Sequence, residues 1–219
     1  LAIRWKSFGA ASADEMESMT SKEAAYYFNN VIMVVFAVLL AYLTVSSALP
    51  SVLPFGGEQV SAGTYNAIAR PLGIVYLAIL AVCPLLAWGK TDPREFLRTA
   101  RVPAICALVL LAVLMGYWAT YLVPSYDVAT AAGTTDAESL ANEGPAVYYN
   151  GLAAVGFLVA SLLLFNSLFA LVRAVRSYGK AHDVGTLSAF GGLLRHNASR
   201  LGGFVSHLAM AVILVGLIG

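Results

Sequence analysis

Residues 201–219 read LGGFVSHLAMAVILVGLIG, and from Gly202 onward only Ser206 and His207 are polar. About eighteen residues at ~1.5 Å each suffice to cross a hydrocarbon core of ~30 Å. The stretch therefore predicts a membrane span that carries an imidazole. Ionisable groups at such depth are costly and mark functional sites by default. Gly203 stands four residues before His207 and Ala211 four after, so the face bearing the ring is flanked by small residues that leave room for a flat ligand against the backbone. The plainer alternative is that His207 hydrogen-bonds a carbonyl on a neighbouring helix, a common contact in membranes.

The composition agrees with that reading. Apolar residues make up 59% of the chain and charged residues 11%, the balance of a polytopic membrane protein rather than a soluble domain. Apolar stretches predict spans at about 26–49, 71–88, 103–123, 149–172 and 202–219. The expected fold is thus all-α: a polytopic integral membrane helix bundle of about five transmembrane helices with an interfacial helix. Residues 1–25 form a polar juxtamembrane segment and residues 26–219 a single transmembrane domain. Thr20 and Glu23 have capping-box spacing, which predicts a helix start near Ser21. Pro71 and Pro103 suit the first turns of their helices, and Pro84 predicts a kink. Pro50, Pro54 and Pro124 are expected to close the first and third spans. Trp5, Trp88 and Trp118 fall near span ends, where amphipathic rings prefer the interface. The first residue is Leu1 rather than methionine, and Leu1–Trp5 read as the tail of an earlier apolar segment, so a piece of something larger is expected.

Charge sets the expected orientation. The segments 1–25, 89–102 and 173–203 hold twelve of the thirteen Lys and Arg residues, while 50–70 and 124–148 hold only Arg70. The positive-inside rule then puts residues 1–25 in the cytoplasm and the Gly219 end outside, consistent with an odd number of spans. Basic residues dispersed over three short segments give no nucleic-acid surface. Within 173–203, Leu187, Phe190, Leu193 and Leu194 recur at helical spacing beside Arg195, which predicts a helix lying in the interface against lipid. His182 and His196 read as surface residues of that segment. Cys83 and Cys106 fall in apolar spans without a CxxC pairing, so packing is their expected use. Asn29 and Asn30 enter the first span as paired amides, and at least one should face protein rather than lipid.

Several strings, in order, resemble one family. Ser21-Lys22-Glu23 with Asn29-Asn30, Tyr65-Asn66 with Pro71-Leu72, Pro84-Leu85-Leu86-Ala87-Trp88, and Gly202-Gly203-Phe204 with His207-Leu208 are similar to the C-terminal half of the CcmF family of cytochrome c maturation haem lyases. The likeness extends over nearly the whole chain. It implies that His207 is one axial ligand of a b-type haem, with Gly203 beside it, and that the second axial ligand comes from another chain or a missing N-terminal half. It further implies companion haem lyase subunits, a haem chaperone, apocytochrome c and a quinol as partners, in the plasma (inner) membrane. There are departures. The family's Asn-Arg is Asn66-Ala67 here, its Ser-Arg-Glu has Lys22, and the Gly after its His-Leu is Ala209. Its tryptophan-rich external segment has no counterpart among Trp5, Trp88 and Trp118.

The resulting expectation is a membrane subunit or fragment of a haem lyase, in which a b-type haem helps to reduce haem for attachment to apocytochrome c. No catalytic side chain is assigned, and the chain is not a complete lyase on its own. The alternative is a non-enzymatic integral packing subunit of a respiratory or transport complex. A transporter is weaker, because a proton or ion path usually needs several ionisable groups within the spans.

Overall fold

The computed structural model describes residues 20–57, 59–87, 89–131 and 152–218; these are helices and turns, with no strand among the described residues. Helix α1 is Lys22–Val45, α2 Ala62–Val82, α3 Pro93–Tyr117, α4 Val123–Ala131, α5 Leu152–His182, α6 Thr186–His196 and α7 Ala198–Ile218. Four stretches are long and apolar enough to cross a membrane, those built on α1, α2, α3 and α5. The bent pair α6–α7, with 102° between its arms, makes a fifth if taken as one span. The chain is an all-α, multi-pass membrane protein.

The bundle is centred on α5, not on the last helix. Its buried face runs through Ala153, Gly156, Phe157, Ala160, Leu163, Asn166 and Ser167, a spacing of three and four that keeps one side turned inward. Small residues on that face let α2, α3 and α7 approach closely, and these three are its main neighbours. The core they share includes Leu77, Ala81, Leu122, Ala211 and Leu214. By contrast α1 packs chiefly on α2. Outward residues such as Val34, Val38, Ile105, Val109 and Val212 are exposed and apolar, which suits lipid as the surrounding solvent.

The prolines depart from expectation. Pro71 and Pro103 lie inside α2 and α3 rather than in first turns, because the helices begin earlier, at Ala62 and Pro93. Serine and aspartate explain the true starts: Ser61 accepts from the Thr64 amide and Asp92 from the Arg94 amide, each capping amides that otherwise lack partners. Pro84 does not kink α2. It sits in a single 3-10 turn, Cys83–Leu85, that ends the helix. Nor does Pro124 close the third span. The helix widens into a π turn at Trp118–Leu122, where the Val123 amide bonds Trp118 five residues back, and continues as α4; such a bulge absorbs a residue that cannot complete the ordinary ladder. Most of the 124–148 segment, residues 1–19, Trp88 and Tyr149 lie outside the described residues.

The 173–203 segment is less of a loop than the sequence implies. At 31 residues α5 spans roughly 46 Å and carries Arg173, Arg176 and Lys180 as helical residues. It stops where Asp183 takes a positive φ and the Val184 amide bonds the Gly179 carbonyl at 3.0 Å, a Schellman closure. A separate helix is present there as α6, bent by 102° from α7. Its Ala189 and Leu193 are buried with Ala174 and Val175 of α5, and a side chain at Gly192 would strike the Tyr178 ring. Leu187 remains 86% exposed and Leu194 exposed, so one apolar edge is left to lipid.

Candidate functional site

Four helices meet around one cavity at the basic end of the bundle. Ser21 caps α1 by accepting from the Ala24 amide at 3.0 Å, one residue later than the Thr20 spacing predicts. The Lys22 amide then donates to the Ala87 carbonyl at 2.9 Å, which ties the start of α1 to the chain just beyond α2. Thr91 secures the same junction: its hydroxyl accepts from the Ala87 amide at 3.1 Å and donates to the Thr20 carbonyl. Asn166 of α5 donates to the Ala81 carbonyl at 2.7 Å, holding the end of α2 from the other side.

Beside these ties lies an open-sided cavity of about 390 Å³. Lys22 and Tyr26 line the cavity from α1, Cys83 and Pro84 from the end of α2, and Ala170, Arg173, Ala174 and Ser177 from α5. Ser199, Gly203, Phe204 and His207 complete it from α7. The volume falls within the usual range of ligand sites. Tyr26 and Cys83 both present polar side-chain atoms to its wall.

His207 is half-buried, and its Nδ1 lies 2.6 Å from the Gly203 carbonyl oxygen. A carbonyl only accepts, so in the neutral ring the proton is on Nδ1 and Nε2 keeps its lone pair. The partner is on His207's own helix rather than on a neighbouring one. His182 and His196 make the same bond one turn back, to Tyr178 at 3.0 Å and Gly192 at 3.1 Å, but both are exposed, as expected. What distinguishes His207 is that it lines a cavity. At Gly203, a Cβ would meet nothing within 4 Å, so packing within this chain does not require that glycine. Among the described residues no cluster of three or more His, Cys, Asp or Glu side chains can hold a metal ion. A metal here needs a donor from elsewhere or a ring of its own.

One of the paired amides turns inward, but the structure records no bond from it to a neighbouring helix. Asn30 is exposed, while Asn29 is half-buried with its Oδ1 enclosed and unpartnered. Neither lines the His207 cavity. A second, more apolar cavity of about 480 Å³ lies between α1, α2 and α7, among Met33, Phe36, Met210 and Leu214, with Asn66 and Arg70 on its wall. Lys22, Tyr26, Cys83 and Arg173 were not singled out by sequence reasoning as site residues. A helical signal existed for the first two: Lys22, Tyr26, Asn29 and Met33 fall on one face of α1. No protein-family model, curated protein or solved structure matches the chain.

Proposed function

We propose that this chain is a membrane subunit or fragment of a cytochrome c haem lyase of the CcmF type, with a b-type haem ligated by His207. The observation that carries the reading is the Nε2 of His207, left with its lone pair on a ring oriented by the Gly203 carbonyl and set on a cavity wall. An oriented imidazole with a free nitrogen is the donor that haem iron takes. The fit extends to the walls. Gly203 leaves space beside the ring, and Phe204, Ala170 and Pro84 offer an apolar surface. The order of family-like strings along the chain supports the same assignment. Bound haem supplies one-electron chemistry; the chain holds and orients it and keeps bulk water from its apolar side.

In this reading the basic end faces the cytoplasm of a cell with a plasma (inner) membrane site for cytochrome maturation, since twelve of the thirteen Lys and Arg residues fall in the segments assigned there. His207 lies about 8 Å past Gly202 along α7. Such a depth suits electrons from a quinol better than contact with an external apocytochrome, so the haem has a reducing role and attachment occurs on companion subunits supplied by the haem chaperone. The second axial ligand comes from one of those chains or from a missing N-terminal half.

One observation favours the alternative of a packing subunit without haem: exposed His182 and His196 make the same backbone bond, so that bond alone does not require a ligand. Reduced-minus-oxidised absorption spectra of the purified complex separate the two. A b-type spectrum that is lost or strongly shifted in His207→Ala, with insertion intact, supports haem ligation. An unchanged spectrum returns His207 to packing.

A further inference from the structure

We propose that Lys22 and Arg173 form a cationic clamp at the mouth of the His207 cavity, holding the two carboxylates of the porphyrin whose iron His207 ligates. The inference rests on the haem reading above and names the partners of the ligand's acidic edge. Lys22 of α1 and Arg173 of α5 both line the cavity, and among the described residues no carboxylate does. Two helix starts reinforce that sign: α1 begins at Lys22 and α7 at Ala198, so the positive ends of both dipoles lie at this mouth. Two helices end near it: α2, whose Ala81 carbonyl is occupied by Asn166, and α6, which stops just before α7 and has its Gly192 and Leu193 carbonyls taken by the His196 ring and the Asn197 amide. Asp92 and Glu95 stand beyond Arg173 on another side, but Arg94 and Arg98 stand with them.

The walls also grade from polar to apolar. Ser199 precedes His207 by eight residues, about 12 Å along α7, whereas Ala170 lies a turn deeper along α5 than Arg173. A ligand that keeps its acids at the basic end thus lays its apolar body against Phe204 and Gly203 with its centre at His207. Carboxylates on Lys and Arg form charge-assisted hydrogen bonds, stronger than neutral ones. The same mouth is chemically suited to a phospholipid phosphate, and the test separates that source.

The full chain, in phosphatidylcholine nanodiscs, is titrated with iron protoporphyrin IX and with its dimethyl ester, following the Soret band. Wild type is expected to bind the diacid about ten- to a hundredfold more tightly than the diester. Lys22→Gln with Arg173→Gln should abolish that preference while retaining the His207-dependent band, and Lys22→Arg with Arg173→Lys should keep it. A wild type with a His207-dependent band but equal affinity for both ligands overturns the clamp and leaves the haem reading standing. Absence of any His207-dependent band overturns the haem reading itself, and the clamp with it. Retention of phosphatidylglycerol by wild type but not by the double Gln variant, in native mass spectrometry, with no diacid preference, reassigns the cations to a lipid phosphate and overturns the proposal.

Discussion

Asn166 Nδ2 donates to the Ala81 carbonyl across 2.7 Å, joining the centre of α5 to the last turn of α2. The carbonyl is available because α2 tightens into the 3-10 turn containing Pro84. Asn166 is buried, so the bond has no water to replace it. Asn166→Leu should destabilise the protein by about 1 kcal/mol, within the 0.6–2 kcal/mol typical of interhelical bonds in membranes, and loosen Cys83 in the cavity wall. Ser161 and Ser167 on the same helix are fully buried with unpartnered hydroxyls. Their alanine variants should be neutral or stabilising, since nothing is lost and a desolvated group is removed. Reversible unfolding in mixed micelles reads both effects, and equal losses for Asn166 and Ser161 would contradict this account.

A second junction fixes Lys22. Thr91 bonds both Ala87 and Thr20, while the Lys22 amide meets Ala87 directly. Thr91→Val keeps the shape and removes both side-chain bonds. Amide exchange at residues 20–26 should accelerate several-fold, with the centre of α5 unchanged. Uniform acceleration throughout the bundle would show that Thr91 supports global stability instead.

Gly203 offers a test that separates folding from ligand binding. Open space beyond its Cα means that Gly203→Leu should insert and fold as wild type, yet fill the cavity beside His207. Loss of the b-type spectrum with unchanged thermal stability is the expected outcome; a retained spectrum would mean that the ligand lies elsewhere.

How much of this was legible in the sequence follows from the range of each interaction. The spans are local properties, and hydrophobic runs located the four stretches long enough to cross a membrane as well as α7. Their starts at Ala62 and Pro93 were missed because Pro71 and Pro103 carry a strong local signal for first turns, whereas neighbouring helices in a membrane tolerate proline within a helix. The central position of α5 had a signal in its small residues, Gly156 and Ala160 four apart. His207 was legible as a lone polar group in an apolar run. The clamp was not, since Lys22 and Arg173 are about 150 positions apart and each reads alone as an ordinary basic residue beside a span.

Topology is the next expectation. With Cys83 and Cys106 replaced by alanine, Thr135→Cys should react with an impermeant maleimide only from the outer face, although position 135 lies outside the described residues. Arg98→Cys, in α3, should react only from the cytoplasmic face. The reverse pattern would invert the bundle and place the basic mouth outside.

The last prediction concerns iron coordination. His207 is the only histidine lining its cavity, while His182 and His196 are exposed on α5 and α6. In the proposed bis-histidine site the second imidazole therefore comes from another chain or from a part of the protein outside this sequence. Haem bound to this chain alone should be high-spin, with one strong axial ligand, and should become low-spin when the assembly forms; magnetic circular dichroism distinguishes the two states. Cys83 is the competing donor, because it lines the same cavity. It is buried at the end of α2, so it is expected to stay a wall residue. Cys83→Ala should accordingly leave the spin state unchanged, and the ferrous–carbonyl spectrum should lack the red-shifted band of thiolate ligation. A thiolate signature that disappears in Cys83→Ala would instead complete the axial pair within this chain and remove the need for a donor from outside it.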